Sequence, residues 1–187
     1  MVNQCNFFFI KKIFSLTIQK KEAGIEFTTS DQYVTIPSFP IPEFNQYKTG
    51  SFSISFWLKY LPFNEGYIFR YYSAPSNSDI ITVSIDNYGV LNIFAGNTLS
   101  SVATVASTQW NIITINFALS GSNNNYVSVY KNSEIILSSI LTYKSFPYDP
   151  SGNAARIGGP PSFKGSLSNF RIFTYGSSVI INSSNFL

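Results

Sequence analysis

The chain has 187 residues, a formal net charge of +3 and no histidine. Hydrophobic residues make up 44% and aromatic residues 17% of the sequence, which is enough for a sizeable core and excludes an intrinsically disordered chain. Only 11% of residues are charged, and the paired lysines at 11–12 and 20–21 form no continuous basic patch, so we predict no nucleic-acid binding.

The scarcity of cysteine and histidine narrows the possible chemistry. Cys5 is the only cysteine, so the chain has neither an internal disulfide nor a zinc site built from cysteines. The lack of histidine excludes a His-dependent catalytic triad, a Cys–His protease and a histidine-ligated zinc hydrolase within this chain.

Residues 1–23 are predicted to form an N-terminal segment with one accessory strand. Its apolar run Phe7–Ile10 is followed at once by Lys11 and is too short for a signal-peptide core or a membrane span. Apolar residues then alternate with polar ones, the pattern of a half-buried strand, at Phe14, Leu16 and Ile18. We therefore expect neither a clear signal peptide nor a membrane span in this segment.

The strongest strand pattern is Phe52–Tyr60, where large apolar residues alternate with serines, Trp57 and Lys59. Successive side chains of a strand point to opposite faces, so the pattern predicts one face on a core and Trp57 on the other face. We nevertheless interpret Trp57, like Trp110 near the start of a later strand, as a core-packing residue, because large aromatic side chains dominate protein cores.

The remaining elements are also predicted to be short strands. They are Ile25–Phe27, Tyr33–Ile36, Tyr67–Tyr72, Ile80–Asp86, Val90–Ala95, Val102–Ala106, Asn111–Leu119, Tyr126–Lys131, Glu134–Leu141 and Leu167–Tyr175. Asn87–Gly89 and Asn132–Ser133 are predicted to be tight hairpin turns, and Gly158-Gly159 a sharp turn at positive φ. Because no stretch has a sustained helical period, the predicted fold class is all-β, a two-sheet antiparallel β-sandwich.

Several segments resemble, in their order, the laminin-G-like and concanavalin A-like lectin/glucanase family. The resemblance lies in Ile25-Glu26-Phe27, Tyr33-Val34-Thr35-Ile36, Phe52–Lys59, Gln109-Trp110-Asn111, Tyr126–Asn132, and Ala155–Gly159 followed by Phe163–Phe173. It implies a jelly-roll sandwich domain over residues 24–175, with residues 176–187 as a C-terminal tail.

The resemblance also implies a function and a location. We expect a non-catalytic binding or adhesion module, part of a larger extracellular or cell-surface protein, that recognises carbohydrate or another protein through loops at one rim. Tyrosines predicted near strand ends or in loops are the candidates for stacking on a sugar: Tyr72, Tyr88, Tyr126 and Tyr148. The alternative is a structural subunit or assembly domain without glycan affinity.

A glycoside hydrolase on the same fold is the less favoured alternative. Such enzymes place two carboxylates on either side of the scissile bond. The Glu-x-Asp-x-x-Glu pattern of the β-glucanase branch is absent, because each glutamate lacks an acidic residue two positions later. We therefore predict that the chain is not an enzyme.

Calcium is the one cofactor that the resemblance suggests. Asp79 precedes a predicted strand, and Asp149 lies in a later loop before the closing glycines. Calcium binds six to eight oxygen ligands, so backbone carbonyls and water would complete a weak site around these two carboxylates. The alternative is that both aspartates are solvated turn residues.

Overall fold

The computed structural model describes residues 24–36, 49–95, 98–105, 108–120, 124–142 and 153–175. These residues form twelve strands: β1 (Gly24–Phe27), β2 (Tyr33–Ile36), β3 (Thr49–Tyr60), β4 (Gly66–Ser73), β5 (Ser78–Ile85), β6 (Val90–Ala95), β7 (Thr98–Thr104), β8 (Asn111–Ser120), β9 (Asn124–Lys131), β10 (Glu134–Thr142), β11 (Asn153–Gly158) and β12 (Gly165–Tyr175). The accessory strand predicted within residues 1–23 lies outside the described residues.

The strands form two antiparallel six-stranded sheets. Sheet A has the order β1-β12-β3-β8-β9-β10, and sheet B has the order β2-β11-β4-β5-β6-β7. The inner faces of the two sheets form one hydrophobic core, which includes Phe56, Phe69 and Ile93 at 0% exposure. The predicted all-β, two-sheet antiparallel sandwich is therefore confirmed.

Strand β3 has the two faces that its alternation predicts. The large apolar residues Phe52, Ile54, Phe56, Leu58 and Tyr60 are all buried in the core. Trp57 is half-buried on the outer face and is not part of the core cluster, and Trp110 is likewise half-buried. The interpretation of these two tryptophans as core residues is therefore wrong. Strand register places Trp57 on the outer face, and Trp110 lies just before β8 rather than within it.

The two predicted hairpin turns are confirmed. Asn132 and Ser133 both have positive φ, 49° and 78°, as a two-residue turn between twisted strands requires. The Asn132 side chain also joins β8 to the turn, because its Oδ1 accepts the Ile112 N–H at 3.0 Å. In the other turn, Asp86 Oδ1 accepts the N–H groups of Tyr88 and Val90.

Strand β11 was not predicted, although its residues were noted for the family resemblance. It inserts between β2 and β4, with Ala155 and Ile157 buried in the core. Gly158, the last residue of β11, and Gly159 after it both have the positive φ that was predicted, 76° and 132°. A Cβ at Gly158 would lie 2.5 Å from the Phe27 ring, so both packing and backbone conformation require glycine there.

Candidate functional site

A groove of about 500 Å³ runs along β5 on the outer face of sheet B. Thr82, Ser84, Asn92 and Phe94 line it, and Asp79 and Asp86 lie along its length. Six residues separate these two aspartates, so the groove extends over about 20 Å at the rise of a β-strand. Phe94 is 37% exposed and supplies an apolar surface beside hydroxyl, amide and carboxylate groups.

One wall of the groove depends on the segment that joins β11 to β12. The Tyr67 N–H donates to the Pro161 carbonyl at 2.8 Å, which holds this segment against β4. Gly66 permits the approach, because a Cβ there would lie only 2.3 Å from the backbone nitrogen of Phe163. The segment between β11 and β12 is therefore held so that Pro161 forms one side of the groove.

The Tyr60 hydroxyl fixes the end of the groove that contains Glu65 and Asp86. It donates to the Asp86 carbonyl at 2.9 Å and accepts the Asn64 N–H at 3.2 Å, linking the β3–β4 loop to the β5–β6 turn. Burial of this side chain raises the pKa of the Tyr60 hydroxyl above its ordinary value.

Beside the groove, three tyrosines and two arginines alternate across β4, β11 and β2. We call this set the tyrosine–arginine row; its order is Tyr67, Arg70, Tyr72, Arg156 and Tyr33. The guanidinium carbon of Arg70 lies 5.0 Å from the ring centroid of Tyr67 and 5.7 Å from that of Tyr72. The corresponding distances from Arg156 are 4.7 Å to Tyr72 and 5.0 Å to Tyr33. These distances are in the range of cation–π interactions.

Strand register and a β-bulge create this row. Arg156 is the direct cross-strand partner of Arg70 in the β11–β4 pair. A bulge between Tyr67 and Phe69 in the β4–β5 pair changes the simple alternation of β4, and the Tyr67 ring reaches the Arg70 guanidinium. The row therefore depends on contacts between segments that are far apart in the sequence.

The two arginines differ in their counter-charges. Arg70 donates from Nε at 2.9 Å and from a terminal nitrogen at 2.7 Å to Asp79 Oδ1. No described carboxylate pairs with Arg156, and its buried Nε has no hydrogen-bond partner within the described part of the chain. Like charges directly opposite each other in an antiparallel pair are destabilising. Because Asp79 already pairs with Arg70, Arg156 is the arginine of this pair that can accept an added anion as its partner.

The structure does not bring the predicted tyrosines together. Tyr72 lies within β4, is 5% exposed and packs between two guanidinium groups, so it is not an exposed rim residue. Tyr88 and Tyr126 are 76% and 44% exposed. Tyr148 lies outside the described residues.

Tyr88 and Tyr126 lie at opposite ends of the sandwich. Tyr126 pairs with Ala118, which pairs with Ser51 near the start of β3. Tyr88 follows Asp86, whose carbonyl accepts the hydroxyl of Tyr60 at the end of β3. Because β3 extends about 30 Å between these points, one small ligand does not contact both tyrosines.

The calcium site stays a prediction. Asp149 lies outside the described residues, so its distance to Asp79 is not defined. Asp79 is 33% exposed in its side chain and pairs with Arg70, so a calcium ion would compete with a guanidinium for it. Among the described side chains, no group of three or more cysteines and acids is placed to hold a metal ion.

Sequence reasoning missed the arginines, Tyr33, Tyr67 and Phe94. The available signal was the spacing of Arg70 and Tyr72, which places both on one face of a strand. The contribution of Arg156 depends on β11, and the groove depends on the pairing of β5 with β6.

The fold and the sequence were compared with known proteins. The sequence model of the Laminin_G_3 family, described as the concanavalin A-like lectin/glucanases superfamily, matches residues 28–178. The chain belongs to this superfamily. A comparison with curated protein sequences found no match. The described residues contain no helix that is long and apolar enough to cross a membrane.

Solved structures with a similar fold include three informative examples. The CBM40 module of a Ruminococcus gnavus sialidase, bound to α2,3 sialyllactose, is 17% identical with a TM-score of 0.54, covering 87% of this chain and 94% of its own. Trypanosoma rangeli sialidase, in complex with the inhibitor DANA, is 14% identical with a TM-score of 0.58. The receptor-binding domain of botulinum neurotoxin C/D mosaic serotype is 14% identical, also with a TM-score of 0.58.

The extent of these matches differs. The sialidase match covers 83% of this chain but 26% of the enzyme, and the neurotoxin match covers 99% of this chain but 45% of that domain. The chain therefore spans less than half of two of these structures. At such identities the likeness shows a shared fold.

Proposed function

We propose that the chain is a non-catalytic, extracellular carbohydrate-binding module that holds a glycan in the groove along β5. The observation that carries the proposal is the juxtaposition of Phe94 with the hydroxyl and amide groups of Thr82, Ser84 and Asn92 in one open groove. A sugar ring presents both apolar C–H groups and hydroxyls, and such a surface offers partners for both. The sialyllactose complex of the Ruminococcus gnavus module gives support, as a module of the same fold that binds a glycan.

This placement differs from the rim-loop site expected from the sequence. The floor of the groove is formed by side chains of the paired strands β5 and β6, which the sheet holds in place, and loop residues such as Pro161 form its sides. Asp79 is fixed by Arg70, and Asp86 is fixed by backbone N–H groups of its turn. Fixed polar groups reduce the ordering cost of binding a flexible glycan.

Non-catalytic action is part of the proposal. Of the acids along the groove, Asp79 and Asp86 each already accept structural hydrogen bonds through Oδ1. Any two of the three acids Glu65, Asp79 and Asp86 include at least one of these aspartates, so a two-carboxylate glycosidase mechanism in the groove would have to use it. Release of reducing ends from a glycan panel, lost in Glu65→Gln, would contradict the non-catalytic assignment.

The proposal is tested by a glycan array with the purified chain, followed by calorimetric titration of the strongest hit. Phe94→Ala should weaken binding about 3- to 10-fold, because an aromatic contact contributes about 0.5–1.5 kcal/mol. Phe63→Ala is the matched control, since Phe63 is 84% exposed in the β3–β4 loop outside the groove lining. Loss of binding in Phe63→Ala with no change in Phe94→Ala would place the site in the loops and contradict the proposal.

One observation favours a second function, protein binding at the end of the sandwich. Phe63 and Tyr88 are strongly exposed, and Phe63 is held at a φ of 62°, a conformation that is uncommon for a bulky residue. Exposed aromatic residues are frequent anchors of protein interfaces. An array without hits, together with a stable partner complex that Phe63→Ala disrupts, would favour this adhesion or assembly role.

A further inference from the structure

We propose that the module is selective for acidic glycans and that Arg156 binds their carboxylate. This inference rests on the proposed glycan-binding function and specifies its ligand class. The carboxylates of sialic acids and of uronic acids have the same planar, singly charged form. The proposal therefore covers glycans that contain either type of sugar.

The tyrosine–arginine row carries an excess of positive charge. The row contains two guanidinium groups and, among the described residues, one paired carboxylate, that of Asp79. Arg70 and Arg156 are direct partners across two antiparallel strands, where Cβ atoms are about 4.5–5.5 Å apart. Because Asp79 pairs with Arg70, Arg156 keeps a positive charge that no described carboxylate balances, and an added anion would neutralise it.

The two arginines of the row also differ in their hydrogen bonds. Its Nε is buried and has no partner among the described residues, whereas the Nε of Arg70 donates to Asp79. A guanidinium presents its N–H groups in a rigid planar fork, which matches the two oxygens of a carboxylate. Buried donors without partners are uncommon in proteins, so the chain itself leaves this guanidinium incompletely paired. Arg156 as a whole is partly exposed, and a ligand carboxylate would pair with the guanidinium from its exposed side.

Two tyrosine rings orient the Arg156 guanidinium. The rings of Tyr72 and Tyr33 lie 4.7 Å and 5.0 Å from the Arg156 guanidinium carbon and hold the group in place. Tyr33 is 44% exposed, so this end of the row is open to solvent. The other end of the row, Tyr67, also lines the groove. Arg156 is in register with Arg70 and Thr82, two strand spacings or about 10 Å from the groove residues of β5. A glycan that extends from the groove across β4 by that distance places an acidic residue at Arg156.

The test uses the full chain and pairs of glycans that differ in their acid group. The probes are 3′-sialyllactose against lactose, a glucuronate oligosaccharide against its glucose counterpart, and each acidic glycan against its methyl ester. We expect the acidic member to bind about 10- to 100-fold more tightly than its neutral or esterified form, as for loss of a charged hydrogen-bonded pair. The sialic and uronic pairs distinguish the two carboxylate sources.

Arg156→Gln should abolish this selectivity, while the affinity for neutral glycans changes less than about twofold. Arg156→Lys should keep only part of the selectivity, because an ammonium group lacks the planar fork of donors that a guanidinium presents to a carboxylate. Arg171→Gln is the matched control, an arginine of sheet A whose Nε donates to Asn169. If Arg156→Gln does not fold, the ester comparison on the wild-type chain still decides whether the carboxylate is recognised.

The outcomes separate this inference from the proposed function. Equal binding of acidic and neutral glycans, or acidic selectivity that persists in Arg156→Gln, would overturn the inference and leave the glycan-binding function in place. Absence of binding to every glycan would overturn both.

Discussion

Neighbouring residues Phe56 and Trp57 of β3 allow a direct test of which face of sheet A packs in the core. Phe56 is 0% exposed, and its ring stacks on Phe170 with centroids 5.5 Å apart. Phe56→Ala should therefore cost about 3–5 kcal/mol, the range for removing a buried phenylalanine and leaving a cavity. For a chain of this length that corresponds to a fall of roughly 6–20 °C in melting temperature.

Trp57→Ala should have a smaller effect although tryptophan is the larger residue. Its side chain is half-buried on the outer face, so truncation removes part of the buried area and leaves no closed cavity. The expected cost is about 1–2 kcal/mol. Urea unfolding followed by circular dichroism measures both variants, with equal m-values required for the comparison. A Trp57→Ala cost equal to or greater than that of Phe56→Ala would refute the assignment of the two faces.

Two further predictions concern the Asn132–Ser133 turn and Tyr60. Asn132→Ala should cost about 2–3 kcal/mol in urea unfolding, because alanine disfavours positive φ and loses the side-chain bonds to Ile112 and Asn111. Ser133→Gly should instead stabilise the fold by about 1 kcal/mol, and a destabilised glycine variant would contradict the turn geometry. Because the folded-state pKa of Tyr60 is raised above 10.0, its contribution to stability is complete below that pH and is lost as the pH rises through the folded-state pKa. The alkaline loss of stability should therefore be steeper in the wild type than in Tyr60→Phe, and equal slopes would contradict a raised pKa.

The sequence predicts the fold well where information is local. The alternation in β3 predicts its inner face, and the Asn-Ser dipeptide predicts a hairpin turn. Strand β11 was missed because Asn153, Ala154 and Ala155 have low β-propensity. It is a strand because β2 and β4 pair with both of its edges, which a single sequence does not reveal.

The candidate site is less predictable because it depends on non-local register. Arg70 and Arg156 are 86 residues apart and become neighbours only through the β4–β11 pairing. The bulge after Tyr67 shifts the register of β4 relative to β5, so strict alternation does not give the side-chain arrangement that the structure has. The prediction that Tyr88 lies in a turn is confirmed. Its separation from Tyr126 was not predictable, because the two residues belong to hairpins of different sheets, β5–β6 and β8–β9.

The central claim, that the outer face of sheet B binds the ligand, is tested most directly by nuclear magnetic resonance. Backbone amide shifts of the isotope-labelled chain are measured during titration with the strongest glycan from the array. The account predicts that the largest shifts cluster in residues 67–72, 79–85 and 92–94, together with the side-chain Nε–H of Arg156. Shifts concentrated at residues 61–65 and 87–89, or on sheet A, would contradict it.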